Sequence, residues 1–208
     1  MSRLTRGERR SLTRRGESAE LLVVGLGNPG SEFANTRHNV GREVIDEVVK
    51  RHNSSLKTGK EQALVSEVRH EGKLIVFAIP MTFMNDSGIA VAKLMRRYGL
   101  SEVKKLLVVH DELDLEVGHI RLKEGGGLAG HNGLRSVKQH LKNQDFCRIR
   151  VGIGKPFPNH KGAQYVLSKP GKKESEELLL SVVTAADSIE SILKIGFESS
   201  MQIFNKKI

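Results

Sequence analysis

The sequence predicts a single globular α/β domain, a mixed and twisted β-sheet flanked by α-helices. Three observations lead there. Short β-branched apolar runs alternate with stretches of helical periodicity along most of the chain. The 208 residues are enough for one hydrophobic core and too few for two ordinary domains. Apolar residues at 38% and charged residues at 28%, with no repeat or low-complexity tract, set aside disordered, collagen-like and coiled-coil classes.

Residues 1–20 have no apolar periodicity and no apolar core of signal-peptide length, so they are expected to form a flexible basic tail, with the domain running over 21–208. Their Arg and Ser content suits an organellar transit peptide, but Glu8, Glu17 and Glu20 count against one. Residues 21–24 read as a buried strand entering the tight loop Gly25-Leu26-Gly27-Asn28-Pro29-Gly30. A helix follows over 40–51, with Asn39 placed to cap it and Val40, Val44 and Val48 on one face. Residues 64–69 and 74–79 flank Glu71-Gly72 and predict a hairpin that Pro80 closes. The next helix spans 87–98 and stops at Gly99.

The apolar run 106–109 predicts a strand that delivers His110 and Asp111 at its end, before an acidic turn over 112–116. A strand at 120–123 enters the glycine loop Gly125-Gly126-Gly127, a helix covers 134–141, and a strand covers 146–153. On that last strand Ile149, Val151 and Ile153 share one face while Arg148 and Arg150 share the other. A loop with Pro156 and Pro158 leads to a final helix over 173–193.

Charge narrows the function. Of the net +10, residues 119–161 hold nine Lys and Arg against two Asp and Glu, and residues 1–20 hold six Arg against three Glu; the rest of the chain is balanced. Cations gathered in one stretch mark a candidate phosphate-binding surface; the alternative is a solvated basic face. With 4% aromatic residues and no Trp, the composition argues against a stacking platform for single strands. No apolar run approaches the ~18 residues of a membrane span. Cys147 stands alone, which excludes an internal disulfide and a multi-cysteine zinc site and suits a reducing cytoplasm.

Gly25, Gly27 and Gly30 satisfy G-x-G-x-x-G after a strand. A dinucleotide loop must open a helix within those glycines, yet here Pro29 removes an amide and the next helix starts about ten residues later. Eight histidines raise the question of a metal, but no zinc-protease or His/Cys spacing occurs, and no G-x-S-x-G elbow offers a serine nucleophile. Several polar segments instead fall beyond strand ends, where open α/β sheets bind ligands. Asn28, Asn39, Asn132 and Asp111 each have a structural explanation as turn or cap residues. Together the segments supply an imidazole, a carboxylate and neutral amides, a set that activates water and holds a polar carbonyl without a cofactor.

Five separated blocks carry a specific resemblance. Gly25-Leu26-Gly27-Asn28-Pro29-Gly30, Thr36-Arg37-His38-Asn39-Val40-Gly41, Thr82-Phe83-Met84-Asn85 with Ser87-Gly88, His110-Asp111-Glu112-Leu113-Asp114 and Gly130-His131-Asn132-Gly133-Leu134 resemble bacterial-type peptidyl-tRNA hydrolase, in order, over roughly residues 21–205. The resemblance implies a monomeric, cytoplasmic, metal-independent esterase that frees tRNA from peptidyl-tRNA. It implies His38 as the base, Asp111 as its orienting carboxylate, and Asn28, Asn85 and Asn132 as amides around the ester. It also places Phe33, Phe83, Met84 and His131 beside the substrate, and Arg121, Lys123 and Arg150 on the terminal phosphate of tRNA. Phe33 stands where the family usually has Tyr, and Leu128 and Ala129 stand where it usually has small or polar residues, which bears on substrate affinity. Two rivals stay open: a non-catalytic RNA-binding relative of the same fold, and a nucleoside-processing enzyme of similar topology.

Overall fold

The computed structural model describes residues 17–156 and 162–206. Most of the expected tail, and Pro158 of the expected loop, lie outside them. The last tail residues are packed: Ala19 is buried, its N–H donates to Tyr98 O at 2.9 Å, and Glu20 N–H donates to Leu74 O at 2.8 Å.

Seven strands form one sheet in the order β2-β3-β4-β1-β5-β7-β6. They are β1 (Leu21–Gly25), β2 (Lys57–Thr58), β3 (Ala63–His70), β4 (Lys73–Pro80), β5 (Leu106–Glu112), β6 (Ile120–Glu124) and β7 (Cys147–Gly152). The central strands β4, β1, β5 and β7 run parallel, and β2, β3 and β6 pair antiparallel at the two edges. Helices cover both faces, which is why the central strands read as unbroken apolar runs rather than as alternating ones. Val23, Phe77, Leu107 and Val109 face α1 (Val40–Arg51) and α5 (Lys172–Ile195). Leu22, Val24, Val76 and Val108 face α2 (Ser87–Arg97) and α3 (Asn132–Leu141).

The mixed α/β sheet and the expected strands and longer helices are present. Three elements are additional: β2, α4 (Gly162–Val166) and α6 (Phe197–Phe204). The first two are too short for periodicity to register, and α6, which follows Gly196 at φ 82°, lies beyond the final helix expected over 173–193. Strand β5 runs through His110 and Asp111, because both stay in register with Arg150 and Val151 of β7. The end of β1 lies so close to α1 that a Cβ on Gly25 would collide with Gly41 O, and one on Gly41 with Val109 O. That approach brings the N-terminus of α1 against the carboxyl ends of β1 and β5.

Candidate active site

The loop after β1, the turn before α1, the turn before α2, the end of β5 and the start of α3 surround one cleft of about 480 Å³. It is lined by Asn28, Phe33, His38, Phe83, Met84, Asn85, Asp111, His131 and Asn132, so nine of the residues named from sequence converge there. Arg121, Lys123 and Arg150 lie outside it.

At its floor His38 Nδ1 sits 2.8 Å from Asp111 Oδ1. The same oxygen lies 2.9 Å from His131 Nε2. Burial alone would push the Asp111 carboxyl up, but the charges and hydrogen bonds of His131 and then His38 outweigh it and hold Asp111 well below the usual carboxylate range. His131 Nδ1 accepts the Leu134 N–H at 3.3 Å, capping α3, so Nε2 carries the proton that is given to Asp111. Both ring nitrogens are thereby bonded inside the protein, while His131 also lines the cleft where the resemblance expects a substrate contact. His110 is fully enclosed, with Nδ1 2.7 Å from Asp111 O and its ring edge-on to His131 at 5.0 Å. Burial, then the charge of His131, keeps it neutral by lowering its pKa well below the ordinary histidine value.

Asn39 does not cap α1 with its side chain. Its Oδ1 instead accepts the Asn28 N–H at 2.8 Å and its Nδ2 donates to Asn28 O at 3.0 Å. Asn28 Oδ1 in turn accepts the Met84 N–H at 2.8 Å, which leaves Asn28 Nδ2 as the donor for the cleft. Arg37, which precedes His38, is buried and grips Glu174 with two bonds of 2.5 and 2.6 Å while its guanidinium stacks 4.2 Å from the Tyr165 ring centroid. Sequence reading gave Arg37 no role, because its partners lie over 120 residues away. It fixes the turn that carries His38 to α4 and α5.

The rim is apolar. Phe33 and Phe83 meet edge-on at 6.4 Å, and Phe83 is 58% exposed. Leu113, Val166 and Leu167 also line the cleft, another contribution that the sequence did not announce. Of the two departures in the glycine loop, Leu128 packs against the core and Ala129 holds φ 47°, a conformation that costs a non-glycine residue about 1 kcal/mol.

The cations lie on the antiparallel pair β6 and β7, with Arg121 opposite Arg150 and Lys123 opposite Arg148. Their surroundings differ. Arg121 Nη1 donates to Asn205 O, and Arg150 Nε pairs with Glu112 Oε2 at 2.9 Å. Arg148 is buried, and Lys123 is exposed. His38, Asp111 and His131 place ligand-type atoms within 4.8 Å of one another, close enough to share a metal ion, but here those atoms serve one another as hydrogen-bond partners.

A model of the peptidyl-tRNA hydrolase family matches residues 22–208. The chain is 44% identical to a peptidyl-tRNA hydrolase of Kineococcus radiotolerans over 191 residues, 88% of this chain and 96% of the relative. It is 41% identical to that of Listeria welshimeri over 184 residues, 88% and 99% of the two chains. The crystal structure of peptidyl-tRNA hydrolase from Acinetobacter baumannii superposes with a TM-score of 0.84 at 35% identity, covering 91% of this chain and 96% of that one. A 5′-methylthioadenosine nucleosidase of Arabidopsis thaliana shares the fold alone, at 7% identity and a TM-score of 0.50.

Proposed function

The chain belongs to the peptidyl-tRNA hydrolase family, and we propose that it cleaves the ester between a peptide's C-terminus and the 3′-terminal ribose of tRNA with a water activated by His38. The observation that carries the reading is the 2.8 Å contact of His38 Nδ1 with buried Asp111 at the floor of the cleft. With Nδ1–H held by Asp111, Nε2 is the free base. It takes a proton from water as the water oxygen adds to the ester carbonyl. The proton then passes to the ribose oxygen as the C–O bond breaks, yielding free peptide and tRNA. No covalent enzyme intermediate forms. Asn28 Nδ2, Asn85 and Asn132 are placed around the cleft to donate to the carbonyl oxygen as it gains charge, and to the peptide backbone. Phe33, Phe83 and Met84 form the apolar wall for the peptide. Lys123, with Arg121 and Arg150 on the neighbouring register, faces the phosphates of tRNA.

The reading includes a cytoplasmic monomer that recycles tRNA from abortive translation. No helix among the described residues is long and apolar enough to cross a membrane. A non-catalytic RNA-binding role is disfavoured because the imidazole, carboxylate and three amides are all kept in one cleft. The test is to incubate the protein with N-acetyl-aminoacyl-tRNA and with unblocked aminoacyl-tRNA. Release of tRNA from the first alone is expected; release from neither would return the RNA-binding reading.

A further inference from the structure

Arg148 is among the largest fully buried side chains of the protein, at 1% exposure. Among the described residues only one of its three nitrogens has a partner: Nη1 donates to Gly127 O at 2.8 Å, while Nε and Nη2 have none. Such groups normally find partners, and a buried guanidinium with idle donors costs stability. Burial, then the charge of Arg150, holds it below the usual arginine range. The side chain lies over the Phe146 ring at 5.9 Å and opposite Lys123 across the β6–β7 ladder. At Gly126, φ 84°, a Cβ would come within 3.0 Å of Lys123 Nζ and 3.5 Å of Arg148 Nη2, so both cations converge on the empty side of one glycine. The same loop continues through Gly127 and Leu128, whose carbonyl accepts the His131 N–H at 2.9 Å, into His131 and Asn132.

We propose that Arg148 is a positioning residue that couples phosphate binding at Lys123 to the geometry of the glycine loop, and through it to His131 and Asn132. The inference rests on the reading of Lys123 as a tRNA-phosphate ligand. A phosphate drawn to Lys123 displaces its side chain from beside Gly126 and takes up the N–H groups of the two idle nitrogens of Arg148. The guanidinium, held on its other side by Gly127 O, then ties the anion to the loop that places Asn132 at the ester. Lys123 supplies affinity and Arg148 supplies the connection. The effect of Arg148 therefore falls on turnover with substrates that carry phosphates.

The test compares N-acetyl-aminoacyl-tRNA with N-acetyl-aminoacyl-adenosine, which has no phosphate, in wild type, Arg148→Lys and Lys123→Ala. Arg148→Lys keeps the charge and a donor for Gly127 O but lacks the forked N–H groups. Its kcat on the tRNA substrate should fall about tenfold further than its kcat on the nucleoside ester. Equal losses on both substrates, or no loss on tRNA, would overturn the coupling. A Lys123→Ala variant with an unchanged KM for tRNA would overturn the phosphate reading of Lys123 separately. Hydrogen exchange of residues 125–132 in the wild-type protein gives a readout that needs no variant of Arg148. An acceptor-stem duplex should slow exchange there, and an unaltered rate with the duplex bound contradicts the proposal.

Discussion

Asp111 Oδ1 faces two imidazoles, and the consequences differ for each. Toward His38 it orients the ring and favours the imidazolium that forms during catalysis; toward His131 it accepts a proton whose position is fixed by the Leu134 cap. Replacing Asp111 with Asn keeps the size and removes the charge, so the imidazolium that forms during catalysis loses its support. Turnover at saturation should drop by about 10²- to 10⁴-fold while tRNA binding is retained. Turnover near the wild-type level would make Asp111 a purely structural residue. At this scale the sequence was informative about identity and less so about partners. That His38, Asp111, Asn28, Asn85 and Asn132 share one cleft was legible because polar segments fell beyond strand ends and within the five blocks that carry the resemblance. The bonds from Asn39 to Asn28 and from Arg37 to Glu174 were not, because a carboxamide or guanidinium chooses among neighbours that only the tertiary fold brings near.

Among the elements, α1 links stability to the site. Its Asn39 end holds the Asn28 loop, and its next turn carries Glu43, whose carboxyl burial and then the nearby Asp46 push up from the ordinary 4.5 to about 7. The unfolded chain releases that proton near 4.5 and the folded one holds it to about 7, so stability from this group declines as pH rises between those values and stays lower above them. Glu43→Gln should therefore raise the melting temperature at pH 8 relative to wild type and change it little at pH 4.5. An equal change at both would show that Glu43 ionises normally. The longer elements were legible because periodicity accumulates over many residues, as in α5, where Leu178, Val182, Ala185, Ile189 and Ile192 turn to the core. The wall formed by α4 was not, since its five residues are too few for a pattern.

Over the whole molecule, the four cations that the positive stretch 119–161 places on β6 and β7 have different duties. Arg121 holds the end of α6, Arg150 holds Glu112 at the edge of the cleft, Arg148 lies under the glycine loop, and Lys123 is left exposed. Composition could locate the charge but not divide it, because ion pairing depends on the β6–β7 register. Lys123→Ala should raise KM for peptidyl-tRNA and reduce the dependence of log kcat/KM on log salt by about 1, the share of one phosphate contact. An unchanged salt slope would assign Lys123 to the solvated surface. The central claim is that His38 activates water with support from Asp111 and without a metal. It is tested most directly by the kcat of His38→Ala on N-acetyl-aminoacyl-tRNA, measured at saturation with EDTA present throughout. The account predicts full wild-type activity in EDTA and a fall of about 10²- to 10⁴-fold in the variant with tRNA binding retained; a variant that turns over at near the wild-type rate, or a wild type silenced by the chelator and restored by a divalent ion, would contradict it.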